Sequence, residues 1–316
     1  MSPLPPSRHD LVHLIDNAHA AAAGPPRPHL GASMLGHPCD RWLWLSFRWA
    51  VREHHEGRMM RLFRRGQREE ETVIADLRLA GVQVSGEQSR VDFGAHVSGS
   101  IDGIAEGVPE APKTPHLLEI KTHNARSFNE LEKDGVQKAK PQHWVQMQVY
   151  MVGMGLTRAL YVAVCKDDDR LYIERVHVDS AAAEAAVQRG WRITQADRMP
   201  EPVAGASPAW YQCKMCPAKL FCHDTKLTQE VNCRTCAHYT ARENSTSHCA
   251  AWDSEIPLDA QREGCPRHVL HPDLVPWPMR DSPNGLSGVY VIDGIPTTNG
   301  EGGVPSTALV LYGAPF

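Results

Sequence analysis

The chain has 316 residues, 42% hydrophobic and 22% charged, the make-up of a globular protein with one sizeable core plus smaller modules. A formal net charge of −4 argues against a protein that coats nucleic acid along its length. No apolar run approaches the ~20 residues of a membrane span, and the opening MSPLPPSRHD has neither the basic start nor the apolar stretch of a secretory leader. A cytoplasmic setting is therefore expected, where thiols stay reduced and clustered cysteines serve as metal ligands.

Residues 1–30, rich in Pro, Ala and His, read as a loose lead-in with a short helix over 10–23. Helical patterning begins near Ser33 and runs through Trp42, Trp44, Leu45 and Phe47. Trp42, Trp44 and Trp49 fit a core better than a base-stacking platform. From Arg41 to Arg68 eight arginines (Arg41, Arg48, Arg52, Arg58, Arg61, Arg64, Arg65, Arg68) meet only Glu53 and Glu56. That local excess suits either phosphate contact or a solvated helix face.

A second helix is predicted over 58–80, with Gly81 as its stop. Strand patterns follow over 82–85, 90–93, 96–105 and 116–121, the last two joined by the Pro-rich stretch 108–115. A helix fits 141–154, with Pro141 at its start. Two more strands, 158–166 and 170–178, flank the turn Asp167-Asp168-Asp169, and an Ala-rich helix covers 181–198. Cys165 falls in the apolar strand 158–166 and is expected to be buried there.

This order predicts an α/β (α+β) fold, a mixed central sheet flanked by helices, over residues 31–226. Composition then changes to Cys, His, Pro and Gly, so 227–316 reads as a Cys-rich metal-binding module and tail, with strand candidates at 288–292 and 308–312.

The chemistry concentrates in Gly99-Ser100-Ile101-Asp102-Gly103 and Leu117-Leu118-Glu119-Ile120-Lys121. Residues two apart on a strand share a face, so Glu119 and Lys121 point together while Ile120 turns into the core. Asp102, placed within the strand 96–105, joins them if the strands pair. Paired carboxylates hold Mg²⁺ or Mn²⁺ through hard oxygen ligands, and a lysine beside them orients water or offsets negative charge on a phosphate. Glu-x-Lys alone is a common pattern on exposed strands. Here it follows two leucines, which implies burial, and buried charges require a reason.

Asp102 with Glu119-x-Lys121 resembles the signature of the PD-(D/E)XK nuclease superfamily. Gly66-x-x-x-Glu70 upstream and Gln146-x-x-x-Tyr150 downstream are similar to motifs of its RecB-like branch. The resemblance covers roughly residues 30–225. It implies a restriction-endonuclease-like core and a metal-dependent DNA nuclease. Glu70, Asp102, Glu119 and the Ile120 carbonyl would hold the metal, and Lys121 would position the attacking water. Gln146 and Tyr150 would orient DNA or the lysine. Many RecB-like members carry His where this chain has Glu70; glutamate there is closer to the viral recombination exonucleases. Glu69 is a rival for the role. His143 reads as a helix-start residue in preference to a phosphate contact.

Two cysteine sets follow. Cys213-x-x-Cys216 with Cys222 has metal-ligand spacing, and Cys39 is the available fourth ligand. Thiolates ligate both Zn²⁺ and iron–sulfur clusters, so spacing alone does not choose. One early and three late cysteines resemble the iron–sulfur nucleases of the CRISPR-associated and AddB types, which implies a [4Fe–4S] staple. Cys233-x-x-Cys236 with Cys249 and Cys265 fits a structural four-thiolate Zn²⁺ site, with His238, His248, His268 and His271 as substitutes and His268 foremost.

The combined expectation is a DNA exonuclease of recombination, repair or replication, phage-encoded as the resemblance implies, partnered by a recombination or single-strand-binding protein. A structure-specific endonuclease and a non-catalytic DNA- or protein-binding module on a nuclease fold are the alternatives.

Overall fold

The computed structural model describes residues 10–282 and 287–312; the first nine residues of the expected lead-in lie outside them. In chain order the elements are α1 (Asp10–Ala21), β1 (Leu30–Gly31), α2 (Asp40–Phe47), α3 (Gly57–Leu79), β2 (Gln83–Ser85), β3 (Arg90–Asp92), β4 (Val97–Ser100), β5 (Gly103–Glu106) and β6 (His116–His123). There follow α4 (Ala125–Ala139), α5 (Pro141–Met154), β7 (Arg158–Cys165), β8 (Leu171–His177), α6 (Ser180–Gln195) and α7 (Tyr211–Met215). The C-terminal part adds β9 (Tyr239–Ala241), β10 (Ser247–Cys249), β11 (Ser254–Glu255), β12 (Met279–Asp281), β13 (Ser287–Ile292), β14 (Ile295–Gly300) and α8 (Ser306–Leu309).

The central sheet has the order β2-β5-β6-β7-β8. Only β6 and β7 run parallel, and the crossover between them carries α4 and α5, as a parallel pair requires. One face of β6 and β7 presents Leu118, Ile120, Leu160, Val162 and Val164, which pack with Val73, Ile74 and Leu77 of α3. The opposite face, with Leu117 and Tyr161, meets Met147, Tyr150 and Met151 of α5 in the main core. Ile120 is thus buried away from Glu119, and Cys165 is buried at the end of β7. Trp42, Trp44 and Trp49 are core residues; the indole N–H of Trp44 donates to the Ala196 carbonyl (2.9 Å) and that of Trp49 to Arg27 (2.8 Å).

Helix ends follow local chemistry. The Asn124 side chain caps α4 by accepting from Ser127 N (2.9 Å), and Asp179 caps α6 by accepting from Ala182 N (3.0 Å). Pro141 opens α5, and Gly155 ends it in the left-handed region at φ 66°.

Several expectations are corrected. The strand predicted over 96–105 is two strands in different sheets, β4 beside β1 and β3, and β5 in the central sheet. Asp102 lies at the break, not within a strand, because Ile101 turns into the core and the chain crosses there between the sheets. The helix predicted from Ser33 begins only at Asp40, after a 3-10 turn at Ala32–Met34; Pro38 stands between. Helix α4 was not predicted. The strand candidate at 308–312 is instead the short helix α8, which begins after Pro305.

The run of arginines also divides. Arg48 is buried and donates to the carbonyls of Arg234 and Ala196, both at 3.3 Å. Arg41 donates to the Pro200 carbonyl (2.9 Å). Arg58, Arg64, Arg65 and Arg68 remain exposed on α3.

The compositional boundary near 227 is crossed by packing and buried polar bonds. Cys236, Tyr239, Ile256 and Leu274 share the main core with Trp44 and Phe47. The Arg234 guanidinium, fully buried, donates to Gln261 Oε1 (3.0 Å) and to the carbonyls of Phe47 (2.9 Å) and Pro28 (2.7 Å). It stacks on Trp49 at 4.0 Å and Phe47 at 4.7 Å. Thr228 Oγ1 donates to the Ala50 carbonyl (2.6 Å), and Asn232 Nδ2 to that of Trp49 (3.3 Å).

Candidate active site

The antiparallel register pairs Gly103 with Leu118, which brings Asp102 beside the Glu119–Ile120 stretch of β6. Asp102 Oδ2 accepts from the Ile120 backbone N–H at 2.7 Å. Main-chain geometry therefore fixes this carboxylate. Glu119 and Lys121 share the opposite face from Ile120 and form an ion pair. The Lys121 ammonium also donates to the Ile120 carbonyl at 3.1 Å. Gln146, on α5, donates from Nε2 to Glu119 Oε2 at 3.0 Å.

Glu119 is completely buried, and burial drives its carboxyl upward. Lys121 pulls the other way, while Asp102 and Glu70 add to the rise. Burial also pulls the Lys121 ammonium down, but Glu119, Asp102 and Glu70 outweigh it and hold it above its ordinary range. Glu70 lies half-buried on α3, raised by burial first and by Asp102 next. Its charge couples to Asp102, Lys121 and Glu119, so it belongs to the cluster.

The donor chemistry, hard carboxylate and carbonyl oxygens, is of the kind a hard divalent cation takes. Three carboxylates and one carbonyl gather around a single ammonium, which pairs with the buried Glu119 Oε1. Lys121 spans Ile120 O and Glu119, so its charge stands between two of the expected ligands. Among the described residues, no three His, Cys, Asp or Glu side chains stand in closed ion-holding geometry.

Tyr150 is buried, with its ring 6.3 Å from Phe93. A Cβ at Gly99 would collide with its hydroxyl, so glycine at 99 lets α5 approach β4 closely. At Gly66 the reverse holds: nothing lies within 4 Å of an added Cβ. A mid-helix glycine costs about 1 kcal/mol relative to alanine, and packing within the chain gives no reason for it.

One group escaped the sequence reading. The Tyr161 hydroxyl is shared between His123 Nε2 (3.0 Å) and His143 Nδ1 (2.9 Å), and His123 Nδ1 meets Ser127 Oγ at 3.1 Å. Tyr161 stands in register with Glu119 on the neighbouring strand, and His123 follows Lys121 by two residues. Burial, then nearby lysines, lowers both imidazoles: His123 to about 4 and His143 to about 3. His143 is thus more than a helix-start residue. Its i, i+3 spacing from Gln146 was the available signal.

The cysteines gather in the two sets expected from spacing. Cys39, Cys213, Cys216 and Cys222 line one cavity of ≈ 180 Å³. Burial raises the Cys216 thiol to about 11, with Cys222, Cys39 and Cys213 adding to the rise. The Arg41 guanidinium hydrogen-bonds the Cys222 sulfur. Cys233, Cys236, Cys249 and Cys265 line a second cavity of ≈ 10 Å³.

The sequence model of the PD-(D/E)XK nuclease superfamily matches residues 6–223, a span that holds the acidic cluster and the first cysteine set and ends before the second. No curated protein sequence is detectably similar to the chain. Among solved structures, the "Crystal structure of SSO0001" aligns at 14% identity, covering 67% of this chain and 96% of that one, with a TM-score of 0.40. The alkaline exonuclease LHK-Exo from Laribacter hongkongensis aligns at 20% identity, covering 56% and 90%, with a TM-score of 0.39. Its complex with dAMP gives 18%, 57%, 90% and 0.38 for the same measures.

Proposed function

The chain belongs to the PD-(D/E)XK nuclease superfamily, and from that premise we propose that it is a divalent-metal-dependent deoxyribonuclease, acting as an exonuclease in DNA recombination, repair or replication. The observation that carries the reading is the convergence of Glu70, Asp102 and Glu119 on Lys121.

Glu70, Asp102, Glu119 and the Ile120 carbonyl are the residues that would hold Mg²⁺ or Mn²⁺. The cation supplies Lewis-acid activation of water and of the phosphate. Lys121 orients the attacking water and offsets negative charge as the phosphodiester opens. Gln146 holds the Glu119 carboxylate in place through its Oε2. Tyr150 acts from the core, setting the approach of α5 to β4. The exposed arginines of α3 lie on the helix that carries Glu70 and supply positive charge for the DNA backbone.

Cys39, Cys213, Cys216 and Cys222 would hold a [4Fe–4S] cluster as a structural staple. The size of their shared cavity supports a multi-atom group over a single ion. Glutamate at position 70 supports a place beside viral recombination exonucleases, hence in phage recombination or replication with a recombination or single-strand-binding partner.

The test uses end-labelled linear DNA and covalently closed circles, with Mg²⁺ or Mn²⁺, for the wild type and Asp102→Asn. Loss of linear DNA alone, abolished in the variant, is the expected result. Cleavage of circles selects an endonuclease, and no cleavage with either metal overturns the enzyme reading. A brown preparation absorbing near ~400 nm is expected of the cluster; zinc alone after anaerobic purification removes it.

A further inference from the structure

We propose that Cys233, Cys236, Cys249 and Cys265 form a four-thiolate Zn²⁺ site that clamps the β9–β10 hairpin onto the turn leading into Asp102. The positioning role rests on the nuclease reading above; the metal site does not.

The donors come from three separate segments. Cys233 and Cys236 bracket a 3-10 turn, Cys249 ends β10, and Cys265 lies in the loop before His268. All four line the same small cavity, about one water-sized sphere in volume and suited to a single ion. Cys233 and Cys236 each lie within charge range of both Cys249 and Cys265. Cys236 Sγ accepts the backbone N–H of Val269 (3.4 Å) and is also hydrogen-bonded by the His238 backbone. Such N–H···S bonds stabilise a thiolate. Soft sulfur ligands in a four-coordinate set select zinc.

Three of the four competing histidines are engaged elsewhere. His268 Nδ1 meets Ser306 Oγ (2.8 Å), and its Nε2 meets the Asn232 carbonyl (2.9 Å). His271 Nε2 meets the Asp197 carbonyl (2.8 Å) and its Nδ1 accepts from Asp273 N (3.1 Å). His248 pairs with Asp253. Cys265 completes an all-sulfur set in the cavity that His238 also lines, and the variants below separate the two.

Charge argues against a nucleic-acid finger. Residues 227–316 carry ten Asp and Glu against five Lys and Arg. Of those five, Arg234 is buried, and Arg267 stacks on Trp252 (4.2 Å) and pairs with Glu301 (3.3 Å).

What the hairpin touches gives the site its purpose. Its connecting turn presents the Glu243 carbonyl to Ala95 N (2.9 Å), Ser245 Oγ to His96 N (2.8 Å) and the Thr246 carbonyl to His96 Nε2 (2.9 Å). Ala95 and His96 both adopt left-handed φ, 46° and 62°. Two consecutive non-glycine residues in that region are strained and persist only where neighbours hold them. Val97 then starts β4, and Asp102 follows two residues after its end. Strands β9, β10 and β11 have three, three and two residues, too short to hold this grip alone. Zinc supplies the missing constraint.

The experiment measures zinc and iron per chain by elemental analysis on the full-length protein, in the wild type and in Asp102→Asn. One zinc per chain is expected in both, so the result is independent of nuclease activity. Titration of the folded wild type with an organomercurial, read by a zinc indicator, should release that zinc as these thiols react, with no dependence on a folded variant. Cys249→Ser and Cys265→Ser should lose the zinc, while Cys249→His and His238→Ala retain it. In Cys249→Ser, amide exchange at Ala95, His96 and Val97 should quicken about tenfold or more while Val162 and Val164 stay protected. Wild type without zinc, release without thiol reaction, or loss of zinc on His238→Ala with retention on Cys265→Ser overturns the site. Zinc loss with unchanged exchange at residues 95–97, or a Cys249→Ser chain that fails to fold as a whole, overturns the clamp.

Discussion

The acidic cluster and the cysteine clusters both crowd like donors together, but they are held in opposite ways. Asp102, Glu119 and Lys121 are fixed by strand register and by a backbone N–H, and a cation is already part of the group. The cysteines sit on a five-residue helix, turns and three-residue strands, where little regular structure fixes a sulfur. Hard-oxygen ligands can thus be arranged before any metal arrives, whereas thiolate sets of this kind make the metal part of folding.

The largest test of that contrast is Asp102→Asn. Nuclease activity should fall ~10³-fold or more, since the change removes a proposed metal ligand from an electrostatic centre. The melting temperature should stay within a few degrees, and a large drop would break the contrast. Cys216→Ser should do the reverse. If the proposed cluster is held there, a loss of several kcal/mol, about 10 °C in Tm for a chain of this size, should accompany loss of iron. Calorimetry with iron analysis reads both, and a stable variant that keeps its iron removes Cys216 from the set.

The seam between the two regions makes a third test. Burial lowers His96 and His271 from 6.5 to about 4. The unfolded chain therefore takes up more protons than the folded one between pH 6.5 and 4. Their stabilisation is fully present above pH 6.5 and is lost as pH falls toward 4. Each should contribute about 2 kcal/mol to the drop between pH 7 and pH 5. Urea unfolding at the two pH values measures it, and His271→Gln should flatten part of the slope. The smallest expected effect is Gly66→Ala, which should raise stability by just under ~1 kcal/mol yet weaken DNA binding in a filter or polarisation assay. Unchanged binding would leave the glycine without a role at the site.

Period-two alternation made Glu119 and Lys121 legible, and the preceding leucines signalled their burial. The position of Asp102 was less so, because the chain crosses between sheets where Ile101 enters the core. Tyr161 escaped because a parallel register is encoded in neither strand alone, and His143, read as a helix-start residue, meets it only because α5 packs on that sheet. Helix α4 hid behind sparse apolar positions (Phe128, Leu131, Val136) and Gly135 at φ 73°. Arg48 was read with its charged neighbours, although Trp44, Phe47 and Trp49 around it were the better guide. C-x-x-C spacing revealed the core of both cysteine sets, and Cys39, expected as the fourth member of the first, lines the same cavity as Cys213, Cys216 and Cys222.

The polar seam also sets a schedule for synthesis. The carbonyls of Phe47 and Pro28 receive their buried donor from Arg234, 187 and 206 residues later. At about 5–20 residues per second on the ribosome, the N-terminal segment waits roughly 10–40 s for that partner to be made. The nuclease therefore cannot finish folding from its own front end. The region from Asn232 onward completes it, and a chain cut before that point would lack the contacts on Trp49 and on the turn before β4.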